Sequence, residues 1–162
     1  MDYQTYLTQI SANFPSFKAT TIDYYDTTVT YEEVFKWEWA ATKLKIFSFV
    51  SYVNAIDKNL LASYSSACLA YARKHKKGLP IGFQNGIVSN NLLVSPSVCD
   101  EAILFATSRP SKHYATFEMP AIFDLSTNVL HYYKGEIIWG MMYQPFIKDY
   151  ILKKLDIKSQ EF

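Results

Sequence analysis

Between Asn54 and Pro80 the chain carries the start, the buried face and the stop of one long helix, and the rest of the fold must pack against that face. Asn54 is the expected N-cap, because its side-chain oxygen can accept from a backbone N–H two or three residues on, and Asp57 puts a negative charge in the first turn. Leu60, Leu61, Tyr64, Cys68, Tyr71, Ala72 and His75 recur at helical spacing and form one apolar face. The residues between them are mostly small (Ala62, Ser63, Ser65, Ser66), so a neighbouring layer can approach closely. Arg73, Lys74, Lys76 and Lys77 crowd the last turn, where cations complement the helix dipole. Gly78 supplies a left-handed residue after the helix, and Pro80 stops it.

Residues 2–14 read as a shorter amphipathic helix, with Tyr3, Tyr6, Leu7, Ile10 and Phe14 on one face and Pro15 ending it. The Thr- and Tyr-rich segment from Lys18 to Tyr31 favours extended structure, with a turn near Asp26. Glu33 to Ala41 alternates as a strand with Phe35, Trp37 and Trp39 on one face. Lys43 to Val53 is apolar on both sides beyond its charged start and reads as a central strand covered on both faces. From Ile81 to Val94, Asn85-Gly86 and Asn90-Asn91 suggest short strands joined by tight turns.

Ser97 is the expected cap of a short helix, Val98 to Thr107, with Asp100 and Glu101 in its first turn. Tyr114 to Asp124 alternates again, and Pro120 places that strand at an edge or at a bulge. Ser126-Thr127-Asn128 turns the chain into a strand from Val129. The stretch 136–143 forks between a strand, Ile137 to Met142, and the first part of a kinked helix; β-branched Ile137 and Ile138 favour the strand. A helix then starts at Pro145 and runs to Leu155, with 156–162 a frayed tail. The expected fold is one α+β domain over 1–162: an antiparallel sheet with helices packed mainly on one face, in two layers.

Composition narrows function without naming it. A 49% hydrophobic content argues for a packed core, and 13 Tyr with 11 Phe leave many hydroxyls that need a partner, a surface or a pocket rim. A net charge of +1 from 16 basic and 15 acidic residues gives no global pull towards nucleic acid or anionic lipid. The start, Met1-Asp2-Tyr3-Gln4, lacks the pattern of a signal peptide, and the apolar-leaning run Ile46 to Ile56 is too short to span a bilayer. Two cysteines make no disulfide framework, so a cytoplasmic setting is the expectation.

The candidate sites weigh unequally. Trp37, Trp39 and Trp139, with Tyr132 and His131, can line an apolar pocket or a protein-binding face, although core packing explains the first two equally well. Cys99 and His113 are a candidate nucleophile and base, oriented by Asp124 or Asp100, but a lone Cys beside a helix start is more often a small packing residue. Glu118 and Asp124 share a strand face by parity, and the plainer reading is the solvent-facing side of a half-buried strand. His75, His113 and His131 with Glu118 and Asp124 contain ligand types for a metal, yet none has a metal-binding spacing, so no metal or other cofactor is expected. The run Arg73, Lys74, Lys76, Lys77 can touch phosphates, but the helix end already accounts for it and no phosphate-binding glycine loop supports it.

The expected function is a binding or protein-interaction module, with a homodimer and a small-molecule ligand as options. The alternative is a small hydrolase using Cys99 and His113 or the Glu118/Asp124 face. Contact with nucleic acid through Arg73 to Lys77 ranks third, and no membrane association is expected.

Overall fold

Asn85 to Ser95 form one eleven-residue strand, β4, in which every residue after Asn85 is buried. A strand this enclosed needs partners on both edges and cover on both faces, and the chain supplies all four. The computed structural model describes residues 1–82, 84–137 and 141–158. Before β4 come α1 (Tyr3–Ser11), β1 (Lys18–Ile22), β2 (Tyr25–Phe35), β3 (Lys43–Tyr52) and α2 (Lys58–His75); after it come α3 (Asp100–Thr107), β5 (Lys112–His113), β6 (Thr116–Asp124), β7 (Val129–Tyr132) and α4 (Gln144–Leu155). The sheet runs β1-β2-β3-β4-β6-β5, with β7 also pairing β6.

The result is an α+β fold with a mixed sheet. The outer pairs β1–β2, β2–β3, β5–β6 and β6–β7 are antiparallel, while β3–β4 and β4–β6 are parallel. The expected antiparallel sheet holds for the outer pairs, and the two central pairs are parallel because the helices there are crossovers. α2 returns the chain from the end of β3 to the start of β4, and α3 does the same between β4 and β6. The expectation of helices mainly on one face also gives way. Leu44, Ile46, Val50, Val88, Leu92 and Phe117 pack with Tyr6 and Ile10 of α1 and Ile147 and Ile151 of α4. The alternate residues Phe47, Phe49, Ile87, Leu93 and Ile122 pack with Leu61, Tyr64 and Cys68 of α2 and Ala102 and Ala106 of α3. Parallel strands buried on both faces follow from this arrangement.

Local choices depart from the sequence pattern where a tertiary contact wins. Asn54 does not cap α2. The chain continues extended beyond β3, Ile56 bridges Val98, and Asp57 caps instead, its Oδ1 accepting from Leu60 N–H at 2.8 Å. Cys99, not Ser97, stands at the N-cap of α3, and the Ser97 carbonyl accepts from Ile56. Asn90 and Asn91 are not a turn but the middle of β4.

The strand expected over Glu33–Ala41 ends at Phe35. Residues Trp37–Trp39 form a 3₁₀ turn that drives the Trp39 indole into the core, stacked edge-on against Tyr143 and Phe146, with Nε1–H donating to the Met142 carbonyl at 3.0 Å. Pro120 is tolerated in β6 because 118–120 lie between the short pairing with β5 and the pairing with β7, so no ladder on that edge needs its missing donor. The expected strand over 137–142 falls partly outside the described residues; Met141 and Met142 lie in a turn, and α4 starts at Gln144 with Pro145 in its first turn.

The reassigned cap is testable. Asp57→Ala is expected to destabilise the protein by about 1 kcal/mol and Asn54→Ala by less than about 0.5 kcal/mol, both read from urea unfolding; the reverse order would contradict Asp57 as the cap.

Candidate functional site

β3, β4 and β6 all start at the same end of the sheet, here the leading end, because both crossover helices return there. The described connecting residues that meet at it are 36–42, 76–82 with Gln84, 114–115 and 141–143. They are tied together by Lys43 N–H to the Gln84 carbonyl (2.8 Å), Ile87 N–H to the Ala115 carbonyl (3.0 Å) and the Tyr143 hydroxyl to Thr42 Oγ1 (3.3 Å). A cleft of about 380 Å³ opens between them. Its lining combines the apolar Leu44, Phe117 and Tyr143 with the polar Thr42, Gln84, Asn85, Lys112, His113 and Thr116.

Three features concentrate at this end. Six of the nine described residues with left-handed backbone are here: Ala40, Ala41, Gln84, Ala115, Gly78 and Gly82. For the alanines and Gln84 that conformation costs on the order of 1 kcal/mol each, strain of the kind that collects at binding sites. Gly82 is forced by a neighbour as well, since a Cβ there would lie 2.2 Å from the Tyr114 hydroxyl. Six of the eleven exposed large hydrophobics among the described residues are also here: Phe35, Trp37, Leu79, Tyr114, Met141 and Met142, with Trp37 79% and Tyr114 78% exposed.

The third feature is charge. Lys36, Lys43, Lys45, Lys112 and the Arg73–Lys77 run lie in or beside these segments, where the acids include Glu38, Glu118 and Glu33, the last paired with Lys43 at 3.0 Å. The opposite end holds Asp2, Asp23, Asp26, Asp57, Asp100, Glu101 and Asp124. Cations therefore outnumber acids at the leading end, and acids predominate at the other, where Lys58 is beside Asp57. Helix dipoles explain part of this, since Asp57, Asp100 and Glu101 sit at helix N-termini and Arg73 to His75 at a C-terminus. They do not explain Lys36, Lys43, Lys45 or Lys112. Lys45 is buried, its ammonium lodged where a Cβ on Gly78 would be 2.8 Å away. Burial lowers its pKa, against the opposing pull of Glu33.

A polar chain runs from the cleft into the sheet. His113 Nε2 meets Glu118 Oε2 at 2.6 Å; Glu118 Oε1 accepts from Ser65 Oγ at 2.7 Å; Ser65 Oγ accepts from Asn91 Nδ2 at 2.8 Å; and Asn91 Oδ1 accepts from Ser89 Oγ at 2.6 Å. Ser65, Ser89 and Asn91 are completely buried under α2. His113 lines the cleft and Glu118 does not, so the carboxylate is occupied inside the sheet and the imidazole stands between it and the cleft.

The other candidates separate. Cys99 is exposed at the far end of β4, while His113 is at the start of β6, so the expected thiol–imidazole pair is not formed. Cys68 is buried, and burial pushes its thiol pKa up. Glu118 and Asp124 do share a face, but α2 and α3 cover it, and six residues of strand hold them about 20 Å apart. Burial raises the Asp124 pKa, but hydrogen bonds from Ser126 and Thr127 outweigh it and hold the carboxyl below its ordinary range; the group ties down the turn into β7.

Trp37 is exposed and Trp39 buried, so they share no face; Trp139 lies outside the described residues. Tyr132 is core, and His131 lies on β7 opposite Ile122, its pKa lowered by burial. Arg73, Lys74 and Lys77 are exposed, whereas Lys76 bonds the Leu79 carbonyl. Among the described residues no group of three or more His, Cys, Asp or Glu side chains is placed to hold a metal, and no described helix is long and apolar enough to cross a membrane.

Ser65, Asn91, Lys112, Tyr114 and Tyr143 escape sequence reasoning. Asn91 carries the one available signal, an amide inside a run that could equally have been read as a strand. Compared with protein-family models, curated proteins and solved structures, the chain matches none.

Asn91→Ala removes the link between Ser65 and Ser89, leaving the buried Ser89 hydroxyl without its acceptor and Ser65 with Glu118 alone. It is expected to cost about 2–3 kcal/mol in urea unfolding; a loss below about 0.5 kcal/mol would show that the buried chain contributes no stability.

Proposed function

We propose that the protein is a binding module whose partner engages the leading end, entering the cleft between Thr42, Asn85, His113 and Tyr143 and covering the rim formed by Phe35, Trp37 and Tyr114. The observation that carries this reading is coincidence: strained backbone, exposed aromatic side chains, excess positive charge and a concave site all fall at the same end of the sheet. Each has an ordinary explanation alone. Together they describe a surface whose folding cost is not repaid by the fold, which is the pattern expected of a recognition site.

The enzyme reading has one observation in its favour, the 2.6 Å contact between His113 and Glu118, which is the carboxylate–imidazole half of an acid–base apparatus. Its other half is missing among the described residues. No hydroxyl or thiol there lies within hydrogen-bonding distance of His113, and Cys99 is at the other end of the sheet. Binding is the stronger reading. Self-association through the same rim remains part of it, since Trp37 and Phe35 sit edge-to-face at 5.1 Å and leave their outer surfaces uncovered.

The test is a protein-observed NMR screen with a library of small aromatic fragments on ¹⁵N-labelled protein. Hits are expected to converge on the amides of Thr42, Gln84 to Gly86 and Lys112 to Thr116. Hits scattered over the surface, or gathered at the acidic end around Asp124, would contradict the assignment.

A further inference from the structure

The chemistry of the cleft restricts what it can hold. No carboxylate is among its described lining residues. The nearest one in the chain of contacts, Glu118, has one oxygen on Ser65 and the other on His113, so its charge is used within the protein. The polar lining of the cleft is Lys112, which is exposed, the His113 ring, whose Nδ1 is not used by the Glu118 contact, and Thr42, Gln84 and Asn85; Thr116 also lines it but is buried, its hydroxyl donating to the Tyr114 carbonyl. The apolar lining includes Leu44, Phe117 and Tyr143, with the Phe117 and Tyr143 rings edge-to-face at 5.8 Å. The aromatic lining suits a flat apolar group, and Lys112 and His113 suit an anion.

We propose that the ligand of this cleft is a small aromatic organic anion, a carboxylate or phosphate on one planar ring, with the ring against Phe117 and Tyr143 and the charge at Lys112 and His113. The inference rests on the preceding reading of the cleft as the binding site. Two further observations favour it. The surrounding segments add Lys36, Lys43 and the Arg73–Lys77 run, a field that draws anions to this end and repels them from the acidic one. The volume, about 380 Å³, lies at the low end for ligand clefts and suits one ring with its substituent better than a long polymer. Single-stranded nucleic acid shares the anion and the ring, and would instead extend across Trp37 and Tyr114 to the basic run.

The test compares phenyl phosphate and benzoate with the neutral benzyl alcohol and benzamide, by calorimetry at low salt with the bound position mapped by NMR. The anions are expected to bind in the cleft at least tenfold more tightly than the neutral probes. Lys112→Met, at an exposed position, is expected to remove fivefold or more of that advantage without changing the melting temperature, and His113→Asn to lower it too. Equal affinity for neutral and anionic probes in the cleft would overturn the proposal and leave the binding reading standing. No binding of any probe there would overturn both. Anions that map to Arg73–Lys77 instead of the cleft would also overturn it. So would an oligothymidylate that binds tenfold tighter than phenyl phosphate, with shifts running from the cleft to that run, and nucleic acid would then be the ligand.

Discussion

The structure depends on enclosing a polar strand. β4 is buried on both faces and both edges, yet its centre reads Ser89-Asn90-Asn91. An amide or hydroxyl buried without a partner costs about 1–3 kcal/mol, so the strand is tenable only if the layers on each side bring polar groups to it. On one face α2 does so through Ser65, which meets Asn91. On the other, β3 offers Ser48 Oγ to Asn90 Nδ2 at 3.2 Å. Thr30 and Ser48 are Cα partners, as are Ser48 and Asn90, so a polar row crosses three strands under α4. The row is less fully satisfied than the α2 side: Thr30 Oγ1 and Asn90 Oδ1 are both buried without a partner.

The same enclosure creates the leading end. Parallel neighbours on both sides of β4 require two crossovers, and each deposits a return loop at the start of the strands. Those loops meet the β2–β3 connection there, and the backbones turn sharply: Gln84 and Ala115 in the segments leading into β4 and β6, and Ala40 and Ala41 in the β2–β3 connection, adopt left-handed conformations. The polar chain from Asn91 through Ser65 and Glu118 ends at His113, in the cleft those loops enclose. The interior polarity that β4 imposes thus reaches the surface at the place where the surface is concave, aromatic and positive. Buried networks specify a packing arrangement as much as they stabilise it, and this one fixes the orientation of a cleft side chain.

Much of the fold is legible in the sequence, and the failures have a common cause. The helices around Tyr6, Leu61 and Ile147 follow from periodicity, because each presents one apolar stripe. β3 is readable as central because Phe47, Phe49, Ile46 and Val50 occupy both of its faces. What misleads is polarity inside the core. Asn90-Asn91 has turn chemistry and is strand, because side chains on other elements take up its hydrogen bonds. Glu33 to Ala41 has strand alternation and is broken, because burying the Trp39 indole against α4 outweighs extending the ladder. The site was legible only in pieces. His113, Glu118 and the Arg73–Lys77 run stand out by residue type, but their grouping depends on crossovers that no local pattern announces. Lys45 gives a fainter sign, a charge on the strand face that continues as Phe47 and Phe49.

Native-state hydrogen exchange followed residue by residue tests the central role of β4 most directly. If β4 holds both layers together, the amides of Ile87 to Val94 exchange only through global unfolding, with the same free energy as the core of β3. Ala41, Gln84 and Lys112 then exchange by local opening, orders of magnitude faster. A lower-energy opening that frees β4 together with α2 or α4, while β2 and β3 stay protected, would contradict the account.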